Sequence, residues 1–204
     1  MSDNAIATIA ARLRESAAVM DAAAREASSI ARAASIITDA FRAGGKLLLC
    51  GNGGSAADCQ HVAAEFVGRF APAVNRPPLP AIALTTDTSF ITAHANDVAF
   101  DDIFARQVQA IGRKGDVLIA ISTSGGSRNV LRAAEEARRA GLSVIALLGE
   151  RGPLTDAADV AIRVQSRDTA LIQQVHLAIE HLICQLVEQA IAGTKGLGGE
   201  GTNA

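Results

Sequence analysis

CGNGGSAADCQHVAAE, Cys50 to Glu65, joins the end of an apolar run to an alanine-rich segment through three glycines, and the chain can be read outward from it. Upstream, Lys46 to Cys50 (KLLLC) is apolar without alternation, the pattern of a strand covered on both faces of a parallel sheet. Gly51, Gly53 and Gly54 permit a tight turn and close approach of a ligand to the backbone, because a Cβ there would block either one. Ser55 is a natural N-cap for the segment that follows, which would set free N–H groups and the positive end of a helix at the turn. Such a site favours an anion, above all a phosphate. His61 and Glu65, four residues apart on that helix, project from one face and would hold a divalent metal or share a proton.

The remaining segments alternate in the same way. Residues 3 to 43 carry apolar positions at helical spacing and predict one long or two shorter helices ending at Gly44-Gly45. Ile6, Ile9, Leu13 and Met20 form one stripe, which packs either on its own domain or against another subunit. The prolines of Asn75 to Pro80 make a connector. Strands are then predicted at Ala81 to Thr85, Asp116 to Ser122, Ser143 to Leu148 and Val160 to Val164. Helices are predicted from Thr86–Ser89 toward Asp97, over Phe100–Ile111, over Arg128–Ala140, briefly near Thr155–Ala158, and over Thr169–Ile191. Strands alternating with helices imply a doubly wound α/β fold with about five parallel strands, whose ligands bind at the carboxyl edge.

A chain of 204 residues, 49% hydrophobic, suits one well-buried domain over 1–192, with an N-terminal helical segment 1–43 and a disordered glycine-rich tail 193–204. A net charge of −2 without a long basic run, together with the absence of Trp and Tyr, argues against a nucleic-acid surface. Three cysteines without CxxC spacing fit a reducing, cytoplasmic setting. No run approaches the roughly 18 apolar residues that span a bilayer, so no membrane partner is expected.

Two strand-to-helix turns therefore present donors to one rim. The second, Ser122-Thr123-Ser124-Gly125-Gly126-Ser127, offers four hydroxyls where a helix cap needs one, enough to surround phosphate oxygens without a lysine. The first turn also matches G-x-G-x-x-A, yet Phe66 to Thr86 contains no Asp or Glu to hold a ribose, which disfavours a dinucleotide. A Walker pattern is absent, because Lys46 precedes the turn. The last helix adds Gln173, His176, Glu180 and His181, a polar patch in an apolar segment, and spacing leaves open whether His176 or His181 joins His61 and Glu65.

Four separated blocks, GNGGSAADCQHVAAEF, LPAIALTTDTS, NDVAFDDIFARQVQAIGRKGDVLIAISTSGGSRNV and IQQVHLAIEHLICQLVE, resemble the phosphoheptose isomerases of the sugar isomerase (SIS) domain family over about residues 44–190. The resemblance implies a three-layer α/β/α fold and a homotetramer. It also implies interconversion of sedoheptulose 7-phosphate and D-glycero-D-manno-heptose 7-phosphate, a phosphorylated seven-carbon sugar. It further implies one zinc ion per subunit held by His61, Glu65, Gln173 and His181, with Glu65 and His181 as the acid/base pair. Its substrate contacts fall on Asn52, Gly53, Gly54, Glu65, Asn96, Asp97, Ser122, Thr123, Ser124, Ser127 and Gln173, to which Ser55 at the helix start is added. Gln174, His94 and Gly126 depart from the usual residues of these enzymes. A non-catalytic SIS-domain adaptor that binds a replication initiator protein, and a sugar-phosphate sensor, are the competing readings. Adaptors of that kind lack the acid/base residues, and Glu65 and His181 are both present. Gln173 and His181 lie eight residues apart, about 12 Å along a helix and about 80° around it, so one ion is expected to draw ligands from two subunits, placing sites at subunit interfaces.

Overall fold

A computed structural model of the chain describes residues 3–193. Five parallel strands form one sheet: β1 (Leu47–Cys50), β2 (Ala81–Ala83), β3 (Val117–Ser122), β4 (Ser143–Leu148) and β5 (Val160–Arg163), in the order β2-β1-β3-β4-β5. The helices are α1 (Asp3–Ala22), α2 (Ala27–Arg42), α3 (Gly54–Val67), α4 (Thr88–Asp97), α5 (Ile103–Ile111), α6 (Arg128–Arg139) and α7 (Thr169–Ala192).

Alternation along each strand divides the interior in two. Leu47, Leu49, Val117, Ile119, Ile121, Ile145 and Leu147 face α2, α3 and α7. Leu48, Cys50, Leu118, Ala120, Val144, Ala146 and Leu148 face α5 and α6. Because β1, β3 and β4 have helices on both sides, they are apolar except for Ser122 and Ser143 at strand ends, and almost fully buried. The result is the expected three-layer α/β/α arrangement.

The differences from the sequence expectation have local causes. Lys46 stays outside β1 because its N–H donates to the Asp116 carboxylate at 2.9 Å. The N-terminal helical segment is two helices joined by a 3-10 turn at Ala23–Glu26. The short helix expected near Thr155–Ala158 is a 3-10 turn at Pro153–Thr155, where Pro153 presets φ at the first position. α1 does not bury its stripe: Ile6 is 60% and Leu13 67% exposed, so packing within its own domain does not account for these residues. By length and composition α7 could cross a membrane, although Gln, His and Glu interrupt its apolar residues as the sequence expectation required. Its residues Leu171, Ile172, Val175, Ile179, Ile183 and Val187 are buried, as in the core helix of a globular fold. The tail segment 194–204 lies outside the described residues.

Candidate active site

The strand order reverses between β1 and β3, since β2 lies beyond one and β4 beyond the other. The crevice at the carboxyl ends of β1 and β3 is therefore the switch point where open α/β sheets bind ligands. The glycine turn leaves β1 there and the serine loop leaves β3 there.

The N-cap of α3 is Gly53, with φ +57°, and no side chain caps the helix. Ser55 is not the cap the sequence suggests; it is buried in the first turn, close against Gly51. A glycine performs the cap because the turn needs positive φ, which a serine adopts poorly. Gly54 lies under Gln173 of α7, and an added Cβ would come within 2.5 Å of the Gln173 amide nitrogen. Asn52 spans the crevice to Asn129 in α6, each amide donating to the other's carbonyl oxygen at 2.9 Å. Asn129 is a site residue that the sequence did not reveal; its position in a helix first turn resembles ordinary local capping.

In the second loop, Ser127 precedes α6 without capping it by its side chain. Its hydroxyl lies 3.0 Å from that of buried Ser122, which also lies 3.4 Å from Ser124 Oγ. Ser124 Oγ accepts from Gly126 N at 3.2 Å. These hydroxyls engage one another and the loop backbone rather than the helix, leaving the α6 N-terminus open to an anion. Thr123 is partly exposed beside them and its carbonyl accepts from Gly149 N. The loop is held from behind, since Gly125, at φ +64°, packs so closely on the next loop that a Cβ would lie 2.8 Å from Gly152 Cα. Gly125→Ala is expected to cost about 1–3 kcal/mol by denaturation, the usual penalty for a side chain in the left-handed region, and an unchanged midpoint would contradict it.

Farther along the parallel-packed α3 and α7, the ring nitrogens His61 Nε2 and His181 Nε2 face each other at 2.7 Å, and Glu65 Oε1 lies 3.7 Å from His61 Nε2. Of the two candidates left open by spacing, His181 meets His61. His176 is fully buried, its Nε2–H donating to the Leu148 carbonyl at 3.3 Å. Gln173 sits about two turns away, at the start of α3, so one chain does not bring it to the histidine pair. Among the described residues, no three His, Cys, Asp or Glu side chains are drawn up around one point as metal ligands. Two imidazoles and a carboxylate are nevertheless a zinc-type donor set. Two nitrogens about 2.0–2.1 Å from a tetrahedral ion stand about 3.3 Å apart, so the rings need open by only about 0.6 Å to fit one. With its side chain 44% exposed, His61 has room for that movement.

Asn96 and Asp97 end α4, exposed, with Asn96 Nδ2 donating to Asp97 Oδ1 at 2.8 Å, and none of their hydrogen bonds reaches the crevice. Asp87, not Asp97, caps that helix. His94 stacks on Phe90 with centroids 5.2 Å apart, and Gln174 accepts from Ser16 of α1.

Glu180, which precedes His181 in α7, is 1% exposed, with neither carboxylate oxygen hydrogen-bonded. Burial, and to a smaller extent the charge of Asp58, pushes it up to about 8. Burial pushes His176 down to about 4, against a weaker opposing effect of the Leu148 carbonyl. Glu180 stays protonated in the folded protein while the unfolded chain ionises above about 4.5, so its contribution to stability falls as pH rises from 4.5 to 8. For His176 the unfolded chain protonates below 6.5, so stability falls as pH drops from there toward 4. From pH 6.5 to 8 Glu180 acts alone of the two, with a slope of about 1.4 kcal/mol per unit. Glu180→Gln is expected to flatten the denaturation profile over that interval; an unaltered slope would show that the carboxyl is ionised when folded.

The fold and its switch-point loops define the class: the SIS domain, whose family model matches residues 13–149. The phosphoheptose isomerase of Rhodospirillum rubrum is 56% identical over 166 residues, 81% of this chain and 87% of that protein. The phosphoheptose isomerase of Solidesulfovibrio magneticus is 50% identical over 192 residues, 92% of each. The solved phosphoheptose isomerase of Francisella tularensis superposes with a TM-score of 0.87 at 39% identity, covering 93% of this chain and all of that one. The chain belongs to the phosphoheptose isomerase family and is an isomerase.

Proposed function

We propose that the protein interconverts sedoheptulose 7-phosphate and D-glycero-D-manno-heptose 7-phosphate through an enediolate, with Glu65 and His181 as the acid/base pair. The observation that carries the mechanism is the meeting of His181 with His61, beside Glu65, in one chain.

Ser122, Thr123, Ser124 and Ser127 grip the phosphate at the N-terminus of α6, so binding at the far end of the sugar aligns its first two carbons. Asn52, the backbone of Gly53 and Gly54, and Ser55 line the opposite wall, with Gln173 above them. Asn96 and Asp97 would reach sugar hydroxyls from the exposed end of α4. The Glu65 carboxylate takes a proton from C1 of the ketose, the electron pair forms the C1–C2 double bond, and a His181 N–H protonates O2. Return of the carbon proton to C2 and loss of the O1 proton leave the carbonyl at C1.

His61, Glu65 and His181 would hold one zinc ion, joined by Gln173 of a second copy. When bound, zinc stabilises negative charge on the substrate oxygens. The exposed stripe Ile6, Ile9 and Leu13, and a groove of about 850 Å³ between Met20, Ile30, Leu182 and Leu186, favour burial against other copies, and we infer a homotetramer with sites at its interfaces. Three buried free cysteines favour the cytoplasm.

The test is direct: incubate the protein with sedoheptulose 7-phosphate and zinc and follow aldose formation. Absence of turnover with correctly folded protein would reject the reading.

A further inference from the structure

Arg76 and Glu188 are the deepest charged pair near the site, their side chains 1% and 2% exposed. Arg76 belongs to the proline-rich connector between α3 and β2, and Glu188 to α7. The guanidinium donates through Nε to Glu188 Oε1 at 2.8 Å, through Nη2 to the Glu65 carbonyl at 2.8 Å, and through Nη1 to the Phe66 carbonyl at 2.8 Å. Glu188 also accepts from Phe70 N at 2.9 Å and Ala71 N at 2.8 Å.

The last carbonyls of a helix have no partner within it, and a cation there also meets the negative end of the helix dipole. Arg76 thus closes the C-terminal turn of α3, the turn that carries Glu65. Glu188 lies seven residues after His181, two turns on and on the same face of α7. A second arm runs through Phe70, whose N–H is held by Glu188 and whose ring centroid lies 5.7 Å from that of His181. One buried pair therefore ties the backbone of Glu65 and the ring flanking His181 to a single point on α7.

We propose that Arg76 and Glu188 are positioning residues for the isomerisation, fixing the last turn of α3 against α7 and so setting Glu65 relative to His181; this rests on Glu65 and His181 being the acid/base pair. The charge pair itself is a poor source of stability, since apolar side chains of similar volume often replace a buried ion pair without loss, whereas removing one partner strands a charge; what the pair adds is its four bonds to the backbone around the end of α3. Alignment is the property that apolar packing does not restore. A displacement of about 1 Å in reacting groups costs about 100-fold in rate.

The experiment compares the wild type, Arg76→Met, Glu188→Leu, the double variant and Arg76→Lys, measuring thermal midpoint, kcat and KM with sedoheptulose 7-phosphate. The single apolar variants should melt lower. The double variant should lose the penalty of a stranded charge yet still melt below the wild type, because the Glu65 and Phe66 carbonyls and the Phe70 and Ala71 N–H groups are left unpaired, while its kcat stays about 10- to 100-fold low and its KM, set at the serine loop, moves by less than about threefold. Arg76→Lys keeps the charge but loses the forked geometry and should fold with the same kcat-selective defect, which serves if the double variant does not fold. A double variant or an Arg76→Lys variant that folds and keeps kcat within about twofold of wild type overturns the proposal. Glu65→Gln in the same assay separates the two ideas: if it retains turnover the acid/base assignment falls and the clamp with it, whereas an inactive Glu65→Gln beside a fully active double variant removes the clamp alone.

Discussion

Glu65→Gln and His181→Gln should each lower kcat by about 10²- to 10⁴-fold, the range lost when a positioned general acid or base is removed. Glutamine preserves the shape of Glu65 but cannot take a proton from carbon, and at position 181 it keeps a donor without an imidazole's ability to release and regain one. Neither change should unfold the protein, because His61 is exposed, Glu65 and His181 are only partly buried, and the core of leucines and isoleucines lies beneath them. The proposed phosphate site, the serine loop, makes its hydroxyl contacts apart from both residues, so binding of inorganic phosphate should persist in either variant. Turnover within a few-fold of wild type in either would mean that the pair is misassigned.

Treatment with a strong chelator should lower turnover by about 100-fold or more, and added zinc should restore it. Loss of a cation that stabilises several kcal/mol of developing charge translates into that range. The same treatment should leave the far-ultraviolet circular dichroism unchanged, since the sheet and its two cores involve none of the proposed ligands. His61→Ala should match the chelated wild type and gain little from added zinc. Turnover that ignores the chelator would remove the ion from the mechanism while leaving Glu65 and His181 to be judged on their own variants.

The sheet was legible because buried parallel strands are written as unbroken apolar runs. Val117–Ser122 and Ser143–Leu148 stand out for that reason, and β2 was over-extended because Leu84 and Thr85 continue the run after the ladder ends. The two loops were legible as well, since glycines and hydroxyls gather at the strand ends. The cap of α3 was not, because Ser55 satisfies the usual preference while the backbone demands positive φ at Gly53. Asn129, Arg76 and Glu188 escaped for a common reason: each resembles an ordinary surface polar residue until the fold brings its partner alongside, across 77 residues for Asn52 and Asn129 and 112 for Arg76 and Glu188. The resemblance singled out His181 over His176; in the structure the His181 ring meets that of His61 while the His176 ring is enclosed beside β4.

The paired amides of Asn52 and Asn129 act as an uncharged strut between the two walls of the crevice. An ionic tie in the same place would slacken in concentrated salt or on acidification; two carboxamides have no charge to screen and no proton to lose. The gap between the walls should therefore keep its width across ionic strengths, so that any salt dependence of substrate affinity reports on the phosphate itself rather than on a yielding entrance.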